Sequence, residues 1–180
     1  MTCFSTRLRV VAAAAAIVLA PAAAWSQAQT KLQGMAFSND QPIQIESDKL
    51  EIKEQEKRAV FTGNVKVVQG ETTLQAGSMI VHYKSEGQSV SSGATDIDTI
   101  DVANKVVIRT PTQTASADTG TFDMTGQVAV LEGEKVVLTE GDNIFIGCRL
   151  TVHMQTGEAK LESCGKRVMI QLDPKSQPKP

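Results

Sequence analysis

The stretch AVFTGNVKVVQGETTLQAGSMIVHY at 59–83 returns as AVLEGEKVVLTEGDNIFIGCRLTVHM at 129–154, with one residue inserted after the first glycine. In both copies apolar residues alternate with polar ones in short runs punctuated by Gly, Asn and Asp, which is the period-two pattern of half-buried strands. The similarity continues outside the two copies. NKVVI at 104–108 matches EKVVL at 134–138, Phe122 and Met124 stand thirty residues before Val152 and Met154, and SDKLEI at 47–52 parallels AGSMIV at 76–81. A unit of about 30 to 40 residues built from hairpins cannot bury its apolar face alone, so successive units must stack or fold around a shared interior. A chain spent this way on strands and turns offers a long lined surface rather than a cluster of converging catalytic groups.

Turn signals divide the chain into fifteen candidate strands, at 43–46, 48–54, 58–61, 64–69, 72–75, 78–84, 96–102, 105–109, 120–124, 127–131, 135–140, 143–146, 149–154, 158–162 and 167–172. The expected class is all-β. The apolar side of the alternation carries Ile43, Ile45, Leu50, Ile52, Val65, Val67, Leu74, Met79, Val81, Val106, Ile108, Phe122, Met124, Val136, Leu138, Ile144, Ile146, Leu150 and Val152. Alternation fixes which face is buried and not what fills the space, so this lining fits an ordinary closed core as well as an accessible interior.

At the N-terminus Arg7 and Arg9 precede an apolar run from Val10 to Ala24, which stops at Trp25, Ser26 and Gln27. That run is short of the roughly 20 residues a spanning helix needs, and reads as a cleaved signal peptide over 1–28. A flexible segment is expected over 29–40, one β domain over 41–173 and a proline-rich tail over 174–180. The formal net charge of −2 and the 4% aromatic content argue against nucleic-acid binding, which needs a basic face or stacking platforms. Export also bears on the cysteines. Cys3 leaves with the leader, and Cys148 and Cys164 remain in a compartment that favours disulfides. CRLTVHMQ from Cys148, a tight turn at Thr156-Gly157 and EAKLESC back to Cys164 bring the two thiols opposite each other or one register step apart, so a structural bridge is expected.

No GxSxG, HExxH, GxGxxG or phosphate-binding loop occurs, so no enzyme and no cofactor is expected. His82 and His153 occupy the same position in the two repeats, and repeat descent explains them better than function does. With Cys148 and Cys164 their spacing fits no usual zinc motif, so no metal site is expected. Asp96, Asp98 and Asp101 read as the polar side of a strand rather than as calcium ligands. Glu46 and Asp48 fall where one strand turns into the next, a place acidic residues fill for local hydrogen bonds.

QPIQIESDKLEI at 41–52, FTGNVKVVQG at 61–70, GDNIFIGCRLTV at 141–152 and GKRVMIQLDPKSQ at 165–177, in that order, resemble the OstA-like family of periplasmic lipopolysaccharide transport proteins. The resemblance implies an antiparallel β-jellyroll bent into an open V, here of about 15 to 16 strands by the spacing of turn signals. It implies an interior that holds the acyl chains of lipid A, and head-to-tail self-association. The resulting bridge would link inner-membrane and outer-membrane components of lipopolysaccharide transport and so serve outer-membrane assembly. Ile43, Phe122 and Met124 fall at positions whose family counterparts face lipid; Ile45, Val106 and Ile108 complete the expected lipid-binding set. The paired cysteines are not a general family feature, and residues 86–120 match poorly. A secreted structural or protein-binding β-repeat with a closed core is the alternative reading.

Overall fold

The computed structural model describes residue 37, residues 41–84 and residues 97–174, all within the compact unit Lys31–Pro180. The signal-peptide expectation and most of the tail lie outside these residues. Among the described residues ten strands follow one another: β1 (Gln44–Glu46), β2 (Lys49–Lys53), β3 (Arg58–Gln69), β4 (Thr72–Tyr83), β5 (Ile97–Arg109), β6 (Gln113–Asp123), β7 (Val128–Glu140), β8 (Asn143–His153), β9 (Glu158–Glu162) and β10 (Met169–Gln171). A 3-10 turn, Glu54–Glu56, links β2 to β3. All ten form one antiparallel sheet, in which β3 to β8 pair in chain order. At one end β1 and β2 share the outer side of β3; at the other β10 and β9 share the outer side of β8. Among the described residues the two ends do not pair with each other, so the sheet is an open antiparallel jellyroll and not a closed barrel.

The fifteen expected strands become ten because five of the expected breaks, in β3, β4, β5, β7 and β8, are bends inside long strands. Register shifts fall between Thr62 and Val65, Gln75 and Ser78, Ala103 and Val106, Ser116 and Thr119, and Glu132 and Val136. They form a line across the sheet near the middle of every long strand. An added residue in one strand locally breaks the ladder and bends it without ending it. The line begins at the β1–β2 corner, where the Asp48 N–H donates to the Gly63 carbonyl at 2.9 Å and Asn64 Nδ2 donates to Asp48 Oδ2 at 2.8 Å. It ends at Cys148 of β8, which is bridged to Cys164 with the Cα atoms 5.9 Å apart. Residues on both sides of the line belong to one buried cluster, so the sheet is folded over itself along it.

A bend must keep the apolar side inward: β3 and β5, which carry an added residue against β4, keep the parity of their buried positions, whereas β4 and β6 change theirs. Leu74 and Ala76 are buried before the bend in β4, Met79 and Val81 after it; in β6 the buried set passes from Ala115 and Ala117 to Phe122. The repeat obeys the same geometry, because Ala59, Phe61, Val65, Val67, Met79 and Val81 and their counterparts Ala129, Leu131, Val136, Leu138, Leu150 and Val152 are all buried. The first half of β6 has no counterpart among the expected strands. QTASADT at 113–119 lacks β-branched apolar residues, and its inward positions are filled by Gln113, Ala115 and Ala117.

Two groups depart from the expected lining. Phe145, not Ile144 or Ile146, points inward in the first half of β8, since it lies opposite buried Leu138 and packs on the core. The run Ile144-Phe145-Ile146 has no polar member, so alternation could not choose its face. Leu50 and Ile52 do lie on the inner face, opposite Phe61 and Ala59, yet both are exposed because β2 is an edge with no layer over it.

Candidate functional site

Cross-strand partners share a face, so successive registers trace rows of side chains across the sheet. Three such rows on the inner face contain no polar residue. The first runs Ile52, Ala59, Val81, Ile100, Phe122, Ala129, Val152 and Ala159. The second runs Leu50, Phe61, Met79, Val102, Gly120, Leu131, Leu150 and Leu161. The third, on the other side of the bend, runs Ile45, Val67, Leu74, Ile108, Ala115, Leu138, Phe145 and Ile170. With strands about 4.8 Å apart, eight residues in a row span roughly 34 Å of continuous apolar lining.

The residues expected to bind lipid divide into two groups. Phe122 (0% exposed), Met124, Val106 and Ile108 are deep in the buried cluster, brought together from β5 and the end of β6. Ile43 and Ile45 are partly buried at the β1 rim and pack against that cluster. Each apolar row also reaches an open end. Leu50 (48% exposed) and Ile52 stand uncovered at the β2 end, and Ile170 (56% exposed), with Met169 and Leu172, at the β10 end. Patches of this kind mark surfaces that meet a partner or an apolar ligand.

Polar groups are held to the rims. Near the β3–β4 turn Gln69 Nε2 donates to the Gln41 carbonyl at 2.9 Å, and where β6 begins opposite the end of β7 Gln113 Nε2 donates to Glu140 Oε1 at 3.3 Å. The outer face carries exposed pairs: His82 Nε2 lies 3.2 Å from Asp101 Oδ2, Lys84 Nζ 3.4 Å from Asp98 Oδ1, and Arg149 meets Glu132. Asp98 and Asp101 thus face basic groups on β4 and the residue after it. Among the described residues no group of three His, Cys, Asp or Glu is placed to hold a metal. Glu51, on the edge strand β2, is held below the usual carboxylate range by its hydrogen bond to Lys49 and then by the charge of that lysine. None of these pairs opens onto the apolar rows. The arrangement suits holding an apolar chain.

Sequence reasoning missed one member of this interior. Phe37, within the segment expected to be flexible, is 4% exposed and packs edge-on against Phe122, with ring centroids 5.3 Å apart and planes at 75°. A single aromatic among Ala36, Ser38, Asn39 and Asp40 gives no periodic signal, and only its isolation in a polar segment could have marked it.

The sequence profile described as LptA/(LptD N-terminal domain) LPS transport protein matches residues 44–158, from the start of β1 to the start of β9. An uncharacterized protein of Rhizobium meliloti (strain 1021) is 57% identical over 167 residues, covering 93% of this chain and 90% of its own length. A second uncharacterized protein, from Rhizobium etli and encoded in the 5′ region of an rpoN-linked probable transport protein, is 74% identical over 46 residues, 26% of this chain and 85% of its own. Among solved structures, LptH of Pseudomonas aeruginosa, the LptA-homologous periplasmic component of the lipopolysaccharide transport device, superposes with a TM-score of 0.61 at 18% identity. It covers 74% of this chain and 96% of its own, a likeness of fold.

Proposed function

The chain belongs to the LptA/LptD N-terminal-domain family of lipopolysaccharide transport proteins, and from that membership we propose that it is a periplasmic carrier holding lipid A acyl chains against the inner face of its folded sheet. The family is one of transport proteins, and the chain is not an enzyme. The observation that carries the reading is the set of three apolar rows that cross the whole sheet and emerge uncovered at its ends. Transferring one acyl chain of about 14 carbons into water costs on the order of 10 kcal/mol at about 0.8 per methylene. An amphiphile with several such chains cannot cross an aqueous compartment unaided. A continuous lining replaces that barrier with a series of near-equivalent positions, while sugars and phosphates remain outside among the polar rim residues. Directional energy comes from another component, since the chain carries no nucleotide motif.

The ends of the sheet supply the second part of the proposal. β1 and β2 at one end, and β9 and β10 at the other, pair on one side only within the described chain, leaving backbone donors and acceptors for another copy. Joining the β10 end of one copy to the β1–β2 end of the next would set Ile170 of one lining beside Ile45 of another and extend the rows. The same ends would meet the inner-membrane and outer-membrane partners of the bridge. Placement in the periplasm is supported by the leader-like run before residue 28 and by the described location of LptH.

Purified protein mixed with lipopolysaccharide in detergent-free buffer should carry the lipid through size exclusion at a fixed stoichiometry. Protein that emerges lipid-free at every concentration would overturn the carrier reading. A structural module with a permanently closed core is then favoured, and the full burial of Phe122, Val106 and Ile108 is the observation on its side.

A further inference from the structure

We propose that Phe37 is a built-in occupant of the lipid-holding interior, an intrachain ring that sits over Phe122 when no lipid is bound and is displaced when an acyl chain enters. The inference rests on the carrier reading above and adds a competitor to it.

Three observations carry it. Phe37 is buried and packs edge-on against Phe122, which stands in the first apolar row and is itself fully buried. An acyl chain lying along that row has to pass the space the Phe37 ring fills. Four residues later the same chain is fastened on the other side of the bend: the Gln41 carbonyl accepts from Gln69 Nε2 at 2.9 Å, and its side chain lies against Gly70. Residues 37 and 41 therefore tie together the two halves of the folded sheet. Finally, Phe37 itself is in no strand, and among the described residues the first pairing of the ladder on this side is Gln44 with Val68. Displacing Phe37 breaks none of the strand pairings of the described residues.

The physical consequence is competition. The ring gives the empty protein a dry interior in place of an open apolar cleft, and an entering chain must repay its burial and its edge-on contact. That burial and contact together weaken apparent lipid affinity by at least roughly tenfold. An acyl chain offers the same Phe122 surface a longer apolar partner, so exchange is favourable only for a ligand that also fills the rows on either side. A short alkyl compound should leave the ring in place.

The test is fluorine NMR on purified protein with 4-fluorophenylalanine at position 37, in a second sample at position 122, titrated with lipopolysaccharide and in parallel with octanoate. The account expects a buried, ring-shifted resonance from residue 37 without lipid, insensitive to deuterated solvent. With saturating lipopolysaccharide that line should move to a solvent-exposed position, and octanoate should leave it unmoved. Phe37→Ala should lower the apparent Kd for lipopolysaccharide by about tenfold or more, the equilibrium worth of the ring. If the residue 122 line reports lipid binding while the residue 37 line stays buried, or if Phe37→Ala binds no tighter, the competitor is disproved and the carrier reading stands. If neither line responds to lipopolysaccharide, the carrier reading itself falls, and Phe37 is an ordinary core residue.

Discussion

Gly63 shows how single residues fix the bend. Its φ is +79°, in the left-handed region, and a Cβ there would stand 2.3 Å from Asp48 Oδ2. The Gly63 carbonyl and Asn64 amide together hold Asp48, so this glycine joins the first bulge to the corner between β1 and β2. Its repeat partner Gly133 meets a similar constraint, since a Cβ there would lie 2.6 Å from Asp118 Oδ2, the acceptor of the Glu134 N–H. Gly63→Ala should therefore lower unfolding free energy by about 1–3 kcal/mol, from left-handed strain plus a displaced Asp48. Urea denaturation checks it, and an unchanged midpoint would remove Gly63 from the bend. At this scale the sequence was informative where polar residues alternate with apolar ones. TFDM sets Phe122 and Met124 inward, and both are buried. It chose the wrong face at Ile144-Phe145-Ile146, where no polar residue alternates, it was silent at Phe37, and it could not tell that the repeated glycine marks a bend rather than a turn.

The C-terminal element depends on a cross-link placed at the same bend line. Cys148 lies where β8 passes from pairing with β10 to pairing with β9, and Cys164 lies in the connection between those two short strands. The expected bridge is present, and its position separates the two edge strands. The double variant Cys148→Ser with Cys164→Ser should lose about 3 kcal/mol of stability by the chain-entropy estimate for a loop of about 15 residues. Thermal unfolding with and without reductant measures it; equal stability would make the bridge incidental. β10 itself is three residues long and exposed along its whole length. If it is an assembly edge, Ile170→Pro should reduce head-to-tail oligomers to single copies, because proline removes a ladder donor. Light scattering that gives the same size for both proteins would contradict that role. Strand existence was legible nearly throughout, since period-two patterning is local. Strand continuity was not, because a bulge and a turn both appear as a break in alternation near Gly, Asn or Asp.

Over the whole described unit, one sheet folded along a line of bulges creates an inner face whose rows run across the strands and meet air or water only at the ends and rims. That geometry follows from two sequence facts acting together: a repeated hairpin that needs a partner face, and interruptions at the same depth in each strand. Neither fact alone says whether the interior opens. Four of the residues offered as the lipid site, Val106, Ile108, Phe122 and Met124, are buried in the core cluster, so transport requires the two halves to part by enough to admit a chain. An obligate closed core and a carrier at rest share the same buried list, and sequence patterning cannot distinguish them because both bury the same face.

Photo-crosslinking decides between them most directly. A photoreactive residue placed singly at Phe122, at Met124 and, as an outward control, at Asp123 would be irradiated in folded protein mixed with lipopolysaccharide. The account predicts lipid adducts from positions 122 and 124 and none from 123. Folded protein that yields no adduct from either inward position, at lipid concentrations well above any binding midpoint, would mean that the interior never opens and that the chain does not carry lipid in it.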